Sequence, residues 1–88
     1  MTDLPVKFRH LRTLVEVARQ QSVGKAAEVL HVSQPAVTKT LRELEAAIGA
    51  TLVERDGRGS RITHFGEVFL QHAGASLAAI QRGIDSVA

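Results

Sequence analysis

From Phe8 onward the apolar residues Phe8, Leu11, Leu14, Val15 and Ala18 recur at steps of three and four, with Arg9, Arg12, Glu16 and Arg19 between them. That spacing predicts an amphipathic helix of about three turns, ending near Gln20 and Gln21. Ser22 then stands where an N-cap is needed for a short second helix through Val23, Ala26, Ala27 and Leu30. The small side chains of Ala26 and Ala27 leave room for another helix to approach closely. Beyond His31 and Val32, Ser33 can cap a third helix whose first turn holds Pro35, a position where a missing N–H does little harm. Val37, Leu41, Leu44 and Ile48 supply that helix with a buried stripe, and Gly49 with a C-terminal stop.

The pattern changes after Gly49. Thr51–Arg55 and Ser60–Thr63 are β-prone, and Asp56-Gly57-Arg58-Gly59 between them is turn chemistry, which predicts a small hairpin. Thr63 can cap a last helix. Along it Leu70, Ala73, Leu77, Ile80, Ile84 and Val87 are separated by 3, 4, 3, 4 and 3 residues, a heptad seam suited to pairing with a second helix. Phe65, Val68 and Phe69 near its start are expected to dock it on the preceding helices. The alternative is a helix packed on its own domain along its whole length. The seam still runs at Val87 in a chain ending at Ala88, so the sequence reads as a piece of a longer protein that stops within the helix or just after it.

Composition narrows the function classes. The 88 residues form one small domain without repeats, linkers or low-complexity tracts. With no cysteine, disulfides, thiol chemistry and cysteine-ligated zinc are excluded, and a reducing cytoplasm is the expected location. No apolar run approaches the roughly 18 residues that span a bilayer. The first ten residues carry no apolar signal-peptide core. Three Phe with no Tyr or Trp mean an aliphatic core and no aromatic platform for stacking single-stranded bases. Eleven Lys and Arg against nine Asp and Glu give a net charge of +2, too little to imply a polyanionic partner, so the placement of charge has to decide.

Placement points to duplex DNA. Two short helices joined by a brief turn, Val23–Leu30 and Gln34–Ile48, fit a helix-turn-helix, and the hairpin fits the wing of a winged version. In such a unit the N-terminal part of the second helix faces base edges in the major groove. Those residues here are Ser33, Gln34, Pro35, Ala36, Thr38 and Lys39, mostly small or polar. Gln34 matches adenine N6/N7, Lys39 matches guanine O6/N7, and Ala36 or the Thr38 methyl matches a thymine methyl. Steps of four place Gln34, Thr38 and Arg42 on one face, opposite the buried stripe. The wing adds Arg55, Arg58 and Arg61; Arg58, between two glycines, is shaped to enter a narrow A·T minor groove. The bland alternatives are a generic solvated helix face and, for Arg55 and Arg61, strand charges paired with Glu54 and Asp56. Gly57-Arg58-Gly59 lacks the spacing of a dinucleotide-binding glycine loop.

Catalysis finds no support in the residues. His10, His31, His64 and His72 include no pair at the i,i+4 spacing of a helical metal site, and no H-E-x-x-H occurs. Ser33 is better explained as a cap or phosphate contact than as a nucleophile. No metal or other cofactor is called for. His31, in the turn between the two helices, is expected as a surface or phosphate-adjacent side chain and not as a ligand. A helical interaction module dimerising through residues 70–87 and binding a protein is the competing class; it accounts for the seam but has no use for the arginine-bearing wing.

The run Ala26-Ala27-Glu28-Val29-Leu30-His31-Val32-Ser33-Gln34-Pro35-Ala36-Val37-Thr38-Lys39 closely resembles the helix-turn-helix of LysR-type transcriptional regulators. The agreement continues through Leu44-Glu45, Ile48-Gly49, Leu52-Val53-Glu54-Arg55, Ile62-Thr63 and Gly66, and from Phe8 to Phe69 it is most like activators of protocatechuate-catabolism operons. The resemblance implies a mainly α fold: a winged helix-turn-helix domain over residues 1–63, then a long linker helix over 64–88 that pairs with its counterpart in a homodimer. It implies binding to an inverted-repeat operator in double-stranded DNA, tetramers in the full-length protein, and a small-molecule effector bound only by a further domain outside this chain. The family's base-reading positions map onto Ser33, Gln34, Pro35, Ala36, Thr38 and Lys39, with Arg58 on the wing. Many relatives carry arginine where this chain has Lys39, and lysine lacks the planar fork for a bidentate guanine contact.

Overall fold

The computed structural model describes residues 4–57 and 59–88. The order of elements is α1 (Phe8–Gln20), α2 (Val23–Leu30), α3 (Gln34–Ile48), β1 (Val53–Asp56), β2 (Gly59–Ile62) and α4 (His64–Val87). The fold is a mainly helical winged helix-turn-helix with a two-stranded antiparallel wing and a long last helix. Each of the three predicted N-caps forms. The hydroxyls of Ser22, Ser33 and Thr63 accept the N–H groups of Lys25 (3.0 Å), Ala36 (3.2 Å) and Gly66 (3.0 Å). Gly49 ends α3 in the left-handed region at φ 83°, as its residue type predicts. The caps of α1 and α2, Gln21 and His31, adopt the same conformation without being glycine, at φ 54° and 58°.

The core is aliphatic. Leu14 and Val17 from α1, Val23, Ala26 and Ala27 from α2, Val37, Leu41 and Leu44 from α3, and Leu52 pack together, with Phe69 and Leu70 against their edge. Helix α1 is central and touches α2, α3, α4 and β2. Being covered on several sides, it buries His10, Thr13 and Glu16 as well as Leu14 and Val17. The single stripe expected for α1 is therefore corrected: Val17 joins it and Phe8, in the first turn beyond the core, is 53% exposed. Glu16 tolerates burial because Arg19 (3.1 Å) and Gln20 (2.9 Å) donate to its carboxylate. Ile48 also departs from its expected place in the α3 stripe, since the last helical turn passes the core and leaves it exposed.

The hairpin forms in the register Val53↔Ile62, Glu54↔Arg61, Arg55↔Ser60 and Asp56↔Gly59. It starts later and reaches further than the sequence predicts. Leu52 is drawn wholly into the core, and the Asp56 carboxylate closes the turn by accepting the Gly59 N–H at 3.0 Å. Arg58, the predicted wing tip, lies outside the described residues. On the other side of the wing, the Gln21 carbonyl accepts the Ser60 N–H at 3.2 Å, tying β2 to the end of α1.

Helix α4 is set by Gly66, which lies so close to the Leu52 carbonyl and the Ile62 side chain that a Cβ there would collide with both. Gly66, Phe69, Leu70 and Ala73 consequently turn toward the domain. The predicted docking role of Phe65 and Val68 is corrected: a face shifted round the helix leaves them 63% and 47% exposed. The predicted seam divides. Ala73 is buried and Leu70 half-buried within the chain, Leu77 is half-buried, and Ile80, Ile84 and Val87 are exposed.

Candidate nucleic-acid interface

With Val37, Leu41 and Leu44 locked inward, helical geometry turns the opposite face of α3 outward. Gln34, Pro35, Thr38, Lys39 and Arg42 line one open trough, and Arg55 from the wing closes its far side. This is the face given by the steps of four. Gln34 projects from the first turn, its amide nitrogen over Gly24, where a Cβ would come within 3.0 Å. Ser33 is exposed at the start of the helix; its oxygen is engaged as the cap acceptor, and its O–H remains a donor. Ala36 falls outside the trough. It is half-buried on the neighbouring face, beside Phe8, Val32 and Thr40.

The wing arginines separate. Side chains alternate along a strand, and paired residues share a face. Arg55 lies on the inner face with Val53 and Ser60, and its Nη2 donates to the Thr38 hydroxyl at 3.1 Å. Arg61 lies on the outer face, where its Nη2 donates to the Glu54 carboxylate at 3.0 Å. Cross-strand charge pairing, one of the two readings open from sequence, describes Arg61 and not Arg55.

Two carboxylates hold this interface in place. The Glu45 Oε2 accepts the N–H groups of Leu52 (2.7 Å) and Val53 (3.2 Å), so the end of α3 fixes where the wing begins. Thr63 secures its other end: its N–H donates to the Leu52 carbonyl at 2.9 Å and its hydroxyl to the Thr51 carbonyl at 2.6 Å. Glu43, at the edge of the trough, is held from α1 by His10 and by Arg9 (3.4 Å). The His10 hydrogen bond foremost, with the charge of Arg9, holds the Glu43 carboxyl below its ordinary value. Its negative charge is thereby partly answered within the chain, leaving Lys39, Arg42 and Arg55 to set the sign of the surface. The structural roles of Glu43, Glu45 and Gln21 do not emerge from the sequence, because their partners are backbone groups or residues distant along the chain.

The remaining histidines are scattered. His31, His64 and His72 are exposed, and among the described residues no group of His, Cys, Asp and Glu is placed to hold a metal ion. Among those residues no helix is long and apolar enough to cross a membrane.

The family model for the bacterial regulatory helix-turn-helix protein, lysR family, matches residues 8–67. The chain is 64% identical over 87 residues to the HTH-type transcriptional regulator PcaQ of Agrobacterium fabrum, covering 99% of this chain and 28% of that protein. It is 43% identical over 77 residues to the HTH-type transcriptional regulator TfdT of Cupriavidus pinatubonensis, covering 88% of this chain and 34% of that protein. The fold superposes on the crystal structure of a CbnR_DBD–DNA complex with a TM-score of 0.87 at 38% identity, covering 93% of this chain and 94% of that chain. The BenM_DBD/catB site 1 DNA complex gives a TM-score of 0.88 at 33% identity, covering 93% of this chain and 92% of that one.

Proposed function

We propose, from the premise that this chain belongs to the lysR family of bacterial regulatory helix-turn-helix proteins, that its DNA-binding domain reads an inverted-repeat operator as a homodimer. The observation that carries the reading is the convergence of Gln34, Thr38, Lys39 and Arg42 from α3 with Arg55 from the wing on one open trough. Helix α3 enters the major groove, where Gln34, Thr38 and Lys39 meet base edges. Ser33, Arg42 and the helix amides hold phosphates and set the register, and Arg58 probes the adjoining minor groove. Ala36 supports the turn beside the DNA rather than reading a base, and Arg61, engaged by Glu54, contributes little.

Residues 1–63 act as the DNA-binding domain and residues 64–88 as the dimerisation helix. Ile80, Ile84 and Val87 supply the exposed apolar surface that a second α4 covers, and Leu77 continues it toward the domain. Joining two half-site contacts in one molecule raises the effective affinity without new contacts. The chain spans 28% of the length of PcaQ, and the effector site and any tetramer contacts are assigned to the remainder. The regulated genes are an aromatic-acid, protocatechuate-like catabolic operon, with activation as the outcome, in the cytoplasm. Support comes from the extent of the likeness to PcaQ.

Hydroxyl-radical footprinting on a duplex selected from a random pool tests the reading. Two protected patches on one face of the duplex, symmetric about a dyad and about one helical turn or a multiple apart, are the expected result. Protection of a single asymmetric patch contradicts the dimer, and diffuse protection contradicts sequence reading.

A further inference from the structure

We propose that Arg55 is a positioning residue that makes Thr38 a one-way reader of bases, able to donate a hydrogen bond to a base edge and barred from accepting one. This rests on the reading of α3 as the major-groove helix. The Arg55 Nη2 lies 3.1 Å from the Thr38 Oγ1. A guanidinium has donors only and keeps its charge at every accessible pH, so the direction of this bond is fixed: Arg55 gives and the hydroxyl oxygen receives. Among the described residues the Thr38 hydroxyl makes no other hydrogen bond, and no carboxylate lies within ion-pair distance of Arg55. Thr38 is half-buried in the middle of the trough, between Gln34 one turn before it and Arg42 one turn after.

The consequence is chemical. A cation on the oxygen side turns the hydroxyl proton outward and polarises it, which strengthens it as a donor. The same cation repels the amino hydrogens of a base that would seek the remaining lone pair. In the major groove, guanine offers N7 and O6, adenine N7, and thymine O4 as acceptors, whereas cytosine presents only its N4 amino donor. Cytosine is therefore the base that the Arg55–Thr38 pair excludes. This role differs from that of a wing arginine gripping phosphate, which adds affinity to every sequence alike.

The test compares the chain with its Arg55→Gln, Arg55→Lys and Thr38→Val variants, using selection from a random duplex pool. Titrations follow on the preferred site carrying each of the four bases at the affected position. The chain itself should disfavour cytosine at one position in each half-site. Arg55→Gln should cut that discrimination about tenfold while leaving the ratios at other positions intact. Thr38→Val should flatten the same position, and Arg55→Lys, which retains a charged donor, should restore part of it. An Arg55→Gln variant that binds every base variant more weakly by one common factor overturns the proposal, as does one whose base ratios are unchanged. A chain with no preferred site at all instead overturns the major-groove reading beneath it, so the two failures are distinguishable.

Discussion

His10 Nε2 lies 3.1 Å from a Glu43 carboxylate oxygen, joining the first turn of α1 to the exposed side of α3 across 33 residues of sequence. The other ring nitrogen, Nδ1, accepts the Lys7 N–H at 2.8 Å, so Nε2 is the nitrogen that donates to Glu43. A buried imidazole thus caps its own helix with one nitrogen and holds α3 with the other. Arg9 approaches the same carboxylate oxygen at 3.4 Å and shares the hold.

A pH dependence of stability follows. The Glu43 carboxyl is held below its ordinary value of 4.5 in the folded chain, so below that pH the unfolded chain binds the proton more readily. The stabilisation from Glu43 is complete above 4.5 and disappears as the pH falls through the lower folded value. Urea unfolding from neutral pH to below that range should show a flatter pH profile for Glu43→Gln than for the parent chain. Coincident profiles would contradict the assignment.

Two glycines of α4 should respond in opposite directions to the same substitution. At Gly66 a Cβ would collide with the Leu52 carbonyl and the Ile62 side chain, so Gly66→Ala should destabilise by about 1–3 kcal/mol despite alanine's higher helix propensity. At exposed Gly83 a Cβ meets nothing within 4 Å, and Gly83→Ala should stabilise by about 0.5–1 kcal/mol. Thermal melting of the two variants measures both signs; a gain at Gly66 would contradict the close approach.

Gln34 and Arg61 should separate in DNA titrations. Gln34→Ala removes an exposed side chain from the trough and should cost about 1–3 kcal/mol on the preferred site, with relaxed selection at one base pair. Arg61→Ala removes a cation already engaged by Glu54 on the outer face of the wing and should change affinity much less. A larger loss at Arg61 would contradict the division of the wing.

Oligomeric state should depend on the distal half of α4. Ile80 is 55% exposed and makes no part of the core, so Ile80→Glu should leave the fold intact while shifting the chain toward monomer. Sedimentation velocity reads the mass and circular dichroism the fold. An unchanged dimer mass would rule out this helix as the pairing surface.

Features with a local cause are legible in the sequence. Ser22, Ser33, Thr63 and Gly49 mark helix ends because a hydroxyl acceptor or an unhindered left-handed backbone is needed there, and all four serve in those places. The trough face of α3 followed from the four-residue step. What stayed hidden was the phase at which α1 and α4 meet their neighbours. His10 is buried against Glu43, a partner 33 residues away that leaves no signature in a hydropathy pattern. Arg19 and Gln20 beside Glu16 are local but do not reveal that α1 is covered there. Phe65 and Val68 read as core because they are large and apolar, whereas the neighbour with no side chain, Gly66, is the one that sets the approach. The direct tie from Arg55 to Thr38 required the register of the hairpin, in which one residue's shift would have sent Arg55 to the outer face.

Whether this chain reads an inverted repeat is decided by fluorescence anisotropy on a selected inverted-repeat duplex and on a scrambled duplex of equal length, across a salt series. Binding to the inverted repeat should be tighter at every salt concentration, with affinity for both duplexes falling as salt rises. Equal affinity for the two duplexes throughout the series would contradict it.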